Sequence, residues 1–150
     1  MQQLIQGATL LNGKYRIEKV LGQGGFGITY LATQTVLGNK VAIKELFMQG
    51  INDRHDGMVT VSNNANSNLF THQKRKFVKE AQRIAGLNNK HIVKVYNMIE
   101  ENNTAYYVMD YIDDESLQDV ITHHHEALPE SCVKDYLSQI LSALSAIHQQ

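Results

Sequence analysis

A chain of 150 residues holds about one domain, and its 43% hydrophobic and 19% charged residues sit near the globular average, which excludes collagen-like, disordered and disulfide-stapled classes. Its 14 basic and 15 acidic residues are spread along the chain and give a formal net charge of −1, so there is no basic field to capture nucleic acid or anionic lipid. Cys132, the only cysteine, rules out an internal disulfide and suits a reducing compartment; a buried small side chain is its expected role.

The opening Met1-Gln2-Gln3-Leu4-Ile5-Gln6 lacks the basic and apolar regions of a secretory signal, and no apolar run approaches the ~20 residues of a membrane span. A cytoplasmic chain without a membrane segment is expected. Strand-like segments follow at 15–21, 28–33 and 41–46, separated by a glycine cluster and by a turn around Gly38-Asn39, which predicts an antiparallel meander. Residues 47–73 are rich in Asn, Ser, Asp and Gly and read as a mobile insertion, with 58–61 at most a short strand.

The period changes at 74–87, where Phe77, Ala81, Ile84 and Ala85 fall at helical spacing before the stop signal of Gly86 and Asn88-Asn89. Strands at 91–99 and 104–111 flank the polar turn Glu100-Glu101-Asn102-Asn103. A short helix from Leu117 precedes a longer one opened by Pro129, on which Val133, Leu137, Ile140, Leu141, Leu144 and Ile147 form a stripe. Five strands with one helix inserted, then helices, make an α+β chain.

Gly22, Gly24 and Gly27 fit GxGxxG, whose glycines let a backbone approach phosphates without a Cβ in the way. A dinucleotide fold would start a helix inside this cluster, but Ile28-Thr29-Tyr30-Leu31 is strand-forming. No GxxxxGK[ST] loop is present either, which leaves a hairpin lying over a ligand as a flap. In Val41-Ala42-Ile43-Lys44, alternation puts Ala42 and Lys44 on one face, a small residue for adenine beside a cation for phosphate. Glu80 falls in or beside the apolar stripe of its helix, where a carboxylate needs a cation, and Lys44 is the natural partner.

These motifs, with Tyr106-Tyr107-Val108-Met109-Asp110-Tyr111 after them, resemble in order and spacing the protein kinases, specifically the bacterial Ser/Thr kinases similar to the eukaryotic type. The resemblance covers about 11–150. It implies one partial kinase domain over 1–150: a small lobe of five antiparallel strands plus one helix over about 11–111, then the hinge end and first large-lobe helices over 112–150.

The implied activity is transfer of the ATP γ-phosphate to protein hydroxyls, with ATP and a protein substrate as partners and Mg²⁺ expected for the full-length parent. By position, Lys44 and Glu80 become the phosphate-positioning ion pair, and Gly22, Gly24, Gly25, Phe26 and Gly27 the flap. Phe26 either caps the phosphates or packs on its own turn. Leu21, Thr29, Ala42 and Leu117 fall near adenine, Thr29 replacing a more usual valine. Met109 resembles the gatekeeper, Asp110 and Ile112 the hinge residues that bond adenine through backbone groups alone, and Ser116 the polar contact to ribose. Asn89-Lys90-His91 departs from the frequent His-Pro-Asn.

The family's HRDxxxxN loop and DFG triplet do not occur in these residues, so the chain is expected to be inactive alone and to self-associate through exposed large-lobe helices. A pseudokinase scaffold and a purely structural domain remain as other readings. His123-His124-His125 cannot share one helix face and read as a solvated run, leaving no metal site assigned.

Overall fold

Alternating side chains build the sheet. Ile17, Ala32 and Val41 stand directly opposite one another on neighbouring strands, as do Tyr30, Ile43 and Val108, and each set is buried. Opposed residues of an antiparallel ladder point to the same side, so these rows make one continuous apolar face.

The computed structural model describes residues 2–123 and 127–149. Its elements are β1 (Thr9–Leu10), β2 (Tyr15–Gly24), β3 (Gly27–Gln34), β4 (Lys40–Leu46), β5 (Asn52–His55), β6 (Met58–Val61), α1 (Asn64–Ala85), β7 (Val95–Glu101), β8 (Thr104–Asp110), α2 (Leu117–His123) and α3 (Glu130–His148). The main sheet is antiparallel in the order β1-β2-β3-β4-β8-β7, and β5 and β6 pair separately. The five expected strands are all in the main sheet, and Thr9–Leu10 adds a sixth at its edge. At the β7–β8 hairpin, Asn102 and Asn103 adopt φ of 54° and 61°, the left-handed pair a two-residue turn needs and asparagine tolerates.

Residues 47–73 depart from the expected mobile insertion. They form the β5–β6 hairpin and the first ten residues of α1, which starts at Asn64 rather than near 74. Asn63 Oδ1 accepts the Asn66 N–H at 2.8 Å and caps this early start, while Phe47, Met48, Val59 and Phe70 are buried. The polar composition concealed the segment because its four apolar anchors are scattered at neither helical nor strand spacing.

A buried ion pair fastens the hairpin to β4. Arg54 Nη2 donates to Glu45 Oε1 at 2.5 Å, with side-chain exposures of 4% and 0%. Tyr30 Oη donates to Glu45 Oε2 at 2.7 Å, and the remaining Arg54 nitrogens donate to Gln2 O at 2.9 Å and Gly57 O at 2.6 Å. Such a pair tolerates burial because every charged atom is hydrogen-bonded. Burial and the Glu45 charge push the Tyr30 and Tyr106 phenols far up, so both act as neutral donors.

Close contacts divide the chain into two compact units, Met1–Ala85 with Lys94–Tyr111, and Gly86–Val93 with Ile112–Gln150. In the second, Asn89 Nδ2 donates to Ser142 O and Oγ of α3, both at 3.1 Å, and Asn89 Oδ1 accepts the His91 N–H at 2.8 Å. The expected strand at 91–99 therefore starts only at Val95, because 89–92 turns on Asn89. Val133, Leu137, Ile140, Leu141, Leu144 and Ile147 of α3 are exposed. Cys132 is exposed as well, against expectation: it lies on α3, which buries none of its residues. No helix among the described residues is long and apolar enough to cross a membrane.

Candidate functional site

The site residues of the first unit are aligned by strand register. Gly22 pairs with Thr29, Thr29 with Lys44, and Lys44 with Tyr107, so one row crosses β2, β3, β4 and β8 on a single face. The next row joins Leu31, Ala42 and Met109. Ala42 and Leu31 are buried, whereas Thr29, Lys44 and Met109 are half-buried. Leu21 falls at a bulge between the Val20 and Gly22 pairs and is exposed, the kind of irregularity that re-aims a side chain.

Helix α1 sets a carboxylate against this face. Phe77 and Ala81 are buried on one side of the helix, and Phe77 stacks on Tyr107 with ring centroids 4.9 Å apart. That contact brings Glu80 to the sheet, where its Oε1 accepts hydrogen bonds from Lys44 Nζ at 3.4 Å and Tyr107 Oη at 3.2 Å. Lys44 and Glu80 are 35% and 50% exposed, so the penalty for burying a lone carboxylate is not what joins them. Tyr107 supplies the missing constraint, and sequence reasoning overlooked it: an aromatic in a strand signals core packing, and only α1 packing makes its hydroxyl a partner of Glu80. Burial alone would lower the Lys44 pKa; its hydrogen bond with Tyr107 and the charge of Glu80 outweigh it and hold the ammonium above the ordinary lysine value.

The flap is a tight hairpin, Gly24 pairing with Gly27 across Gly25-Phe26. A Cβ at Gly22, Gly24 or Gly25 would meet nothing within 4 Å, so this stretch is bare backbone open to a close-approaching group. Gly27 has a different reason: its Cβ would lie 2.8 Å from Glu45 O, so β4 itself demands glycine there. Phe26 is exposed at the tip. Together with Lys44, Leu46, Phe77 and Glu80, it lines a cavity of about 320 Å³ between the flap and α1.

The remaining candidates have structural occupations. Asp110 accepts the Lys94 N–H at 2.7 Å and a hydrogen bond from Tyr96 Oη, so its side chain is not free to vary as a purely backbone role would allow. In the second unit, Ile112 and Leu117 are exposed. Ser116 Oγ donates to Asp119 Oδ2 at 2.6 Å and accepts the Asp119 N–H at 3.1 Å, a capping box that opens α2. His123 Nδ1 lies 3.4 Å from Glu115 Oε1, while His124 and His125 fall outside the described residues.

The chain as a whole has relatives. A family model described as "Protein kinase domain" matches residues 15–150. The chain belongs to the protein kinase family. It is 34% identical over 139 residues to "Serine/threonine-protein kinase PrkC" of Bacillus subtilis, covering 93% of this chain and 19% of that one. It is 30% identical over 141 residues to "Serine/threonine-protein kinase pkn2" of Myxococcus xanthus, covering 94% and 15%. Thus the kinase chain spans under a fifth of the length of these curated relatives.

Among solved structures, the chain is similar to one titled "PpkA-294 apo form", with a TM-score of 0.82 at 24% identity, covering 90% of this chain and 48% of that one. The PknI kinase domain of M. tuberculosis gives a TM-score of 0.66 at 24% identity, covering 98% and 51%. At these identities the likeness shows the fold: an α+β kinase-like piece with an antiparallel sheet and three helices.

Proposed function

We propose that this chain is the ATP-binding portion of a serine/threonine protein kinase that transfers the γ-phosphate of ATP to protein hydroxyls. The observation that supports this reading is the row Gly22–Thr29–Lys44–Tyr107 with Glu80 held against Lys44, since it places a fixed ammonium beside a stretch of bare glycine backbone. In it, Lys44 meets the α- and β-phosphates, Glu80 positions Lys44, and Gly22, Gly24, Gly25 and Phe26 cover the phosphates. Leu21, Thr29, Ala42 and Met109 face adenine, and the backbones of Asp110 and Ile112 bond its edge. A ribose at Ser116 would share that hydroxyl with Asp119.

Residues about 11–111 are assigned to the small lobe and 112–150 to the hinge end and first large-lobe helices. Mg²⁺ bound together with ATP would supply positive charge to neutralise the phosphates. Among the described residues no three His, Cys, Asp or Glu side chains come together to hold a metal, so no step is assigned to it. Without an HRD loop or DFG triplet in these residues, nothing orients the acceptor hydroxyl, and the chain alone transfers no phosphate. Use of ATP and a lone exposed cysteine support a cytoplasmic setting, and the exposed α3 stripe supports self-association.

Calorimetric titration with a non-hydrolysable ATP analogue tests the reading. The chain should bind, and Lys44→Ala should weaken binding by about tenfold or more, the worth of one hydrogen bond to a charged group. Equal binding by both proteins sinks it. With ATP, Mg²⁺ and a generic protein substrate, turnover should not exceed that of Lys44→Ala; reproducible Lys44-dependent transfer would overturn the claim of inactivity.

A further inference from the structure

The tip of the flap is tied to the segment that follows the lysine strand. Phe47 N–H donates to Phe26 O at 3.4 Å and Gln49 N–H donates to Gly25 O at 3.0 Å, which prolongs the β3–β4 ladder past its last pair, Gly27 and Leu46. Both carbonyls at the hairpin tip are therefore engaged. Because a peptide unit is planar and trans, holding Gly25 O on Gln49 turns the Phe26 N–H of the same plane away from Gln49.

The segment doing the holding is itself immobilised. Phe47 and Met48 are buried, Asn52 Oδ1 accepts the Met48 N–H at 2.8 Å, and Asn52 N–H donates back to Met48 O at 2.9 Å. Asn52 is only 2% exposed, and two residues on Arg54 is locked onto Glu45. Gln49 sits at the second position of a turn closed by Ile51 N–H to Met48 O at 3.1 Å, with Gly50 at φ +80°, the geometry of a type II turn.

We propose that Gln49 is a positioning residue for nucleotide binding: through its backbone N–H, the turn at 48–51 latches the tip of the glycine flap in one orientation, so that flap order is set before nucleotide arrives. The inference rests on the reading that this flap covers phosphates, and the Gln49 side chain plays no part. A pre-ordered flap lowers the entropy lost on binding, whereas an untethered glycine hairpin must be ordered at that moment.

Gln49→Pro isolates the latch. Proline is favoured at the second position of a type II turn, so the turn accepts it, but the N–H that reaches Gly25 O is gone and the ring carbon in its place pushes the tip away. Gln49→Ala keeps the N–H and serves as control. Without nucleotide, the Phe47 amide, which reports the neighbouring bond to Phe26 O, should exchange with deuterium about tenfold faster in Gln49→Pro and unchanged in Gln49→Ala. The Val108 amide, deep in the sheet, should exchange alike in all three, separating a loosened flap from unfolding. The dissociation constant for the ATP analogue should rise about three- to tenfold in Gln49→Pro only.

Unchanged Phe47 exchange in Gln49→Pro overturns the latch, and so does faster exchange at unchanged affinity. If the unsubstituted chain binds the analogue no better than Lys44→Ala, the nucleotide reading fails instead, and the Phe47 amide still decides whether the latch exists.

Discussion

Lys44 and Glu45 are neighbours on β4, and each belongs to an ion pair, yet the two pairs differ in almost every respect. Glu45 points to the face covered by the N-terminal segment and the β5–β6 hairpin, where it meets Arg54 at 2.5 Å in near-complete burial. Lys44 points to the opposite face and meets Glu80 at 3.4 Å with both side chains partly open to solvent. The sealed pair cannot change partners without leaving a charge buried. The open pair can, because both of its side chains reach solvent. One strand thus carries a sealed pair and an open pair back to back.

The sharpest way to break this comparison is to remove one partner of the sealed pair. Arg54→Ala should cost about 3–5 kcal/mol in denaturant unfolding, because Glu45 would remain buried with no cation; a loss below about 1 kcal/mol would place this pair in the same class as the surface one. Lys44→Ala should shift unfolding by less than about 1 kcal/mol, given its exposure and that of Glu80, even as it weakens analogue binding.

Tyr107→Phe keeps the stacking on Phe77 and deletes the hydroxyl that bonds Glu80 and Lys44. A change of about 0.5–1.5 kcal/mol in analogue binding is expected, and it should vanish in a Glu80→Ala background, as a double-mutant cycle would read. An effect of equal size in both backgrounds would mean that the Tyr107 hydroxyl acts through its own hydrogen bond to Lys44 rather than through the carboxylate.

The smallest effect lies in the second unit. The Ser116 hydroxyl, followed by the Ser116 N–H, holds the exposed Asp119 carboxyl below the ordinary aspartate range. A lowered folded-state value means that the capping box contributes above the unfolded pKa and is lost as pH falls through the folded one. Amide protection at the start of α2, taken relative to the intrinsic exchange rate at each pH, should therefore be flat near neutrality and fall only below about pH 4, and Asp119→Asn should abolish that dependence.

Much of the working face was legible in the chain. Strand alternation puts Ala42 and Lys44 together, and helical spacing puts Glu80 one residue before the buried Ala81. The parts that escaped share a cause: they depend on contacts between segments with no periodic signal. Residues 47–61 look like a polar loop because Asn52 and Arg54 are polar, and only their bonds to Met48 and Glu45 make them core. Residue type alone would put Cys132 inside, but α3, which carries it, buries none of its residues. Sequence gives Asp110 a role only through its backbone, because Lys94 and Tyr96 are far enough away along the chain to give no hint of their bonds to its carboxylate.

By itself, the sequence determined the hairpin flap and the face on which Lys44 stands, because these follow from local spacing and from the two-residue period of a strand, while the kinase family came from the resemblance of its ordered motifs. Tertiary structure decided the rest: which glycines are bare and which one is squeezed by β4, that Tyr107 reaches Glu80, and that the flap tip is bonded to a turn beyond Lys44. Those outcomes depend on the register of β3 on β4 and on the closeness of α1 to β8. Register and closeness are settled by the packing of the whole unit, which no single segment encodes.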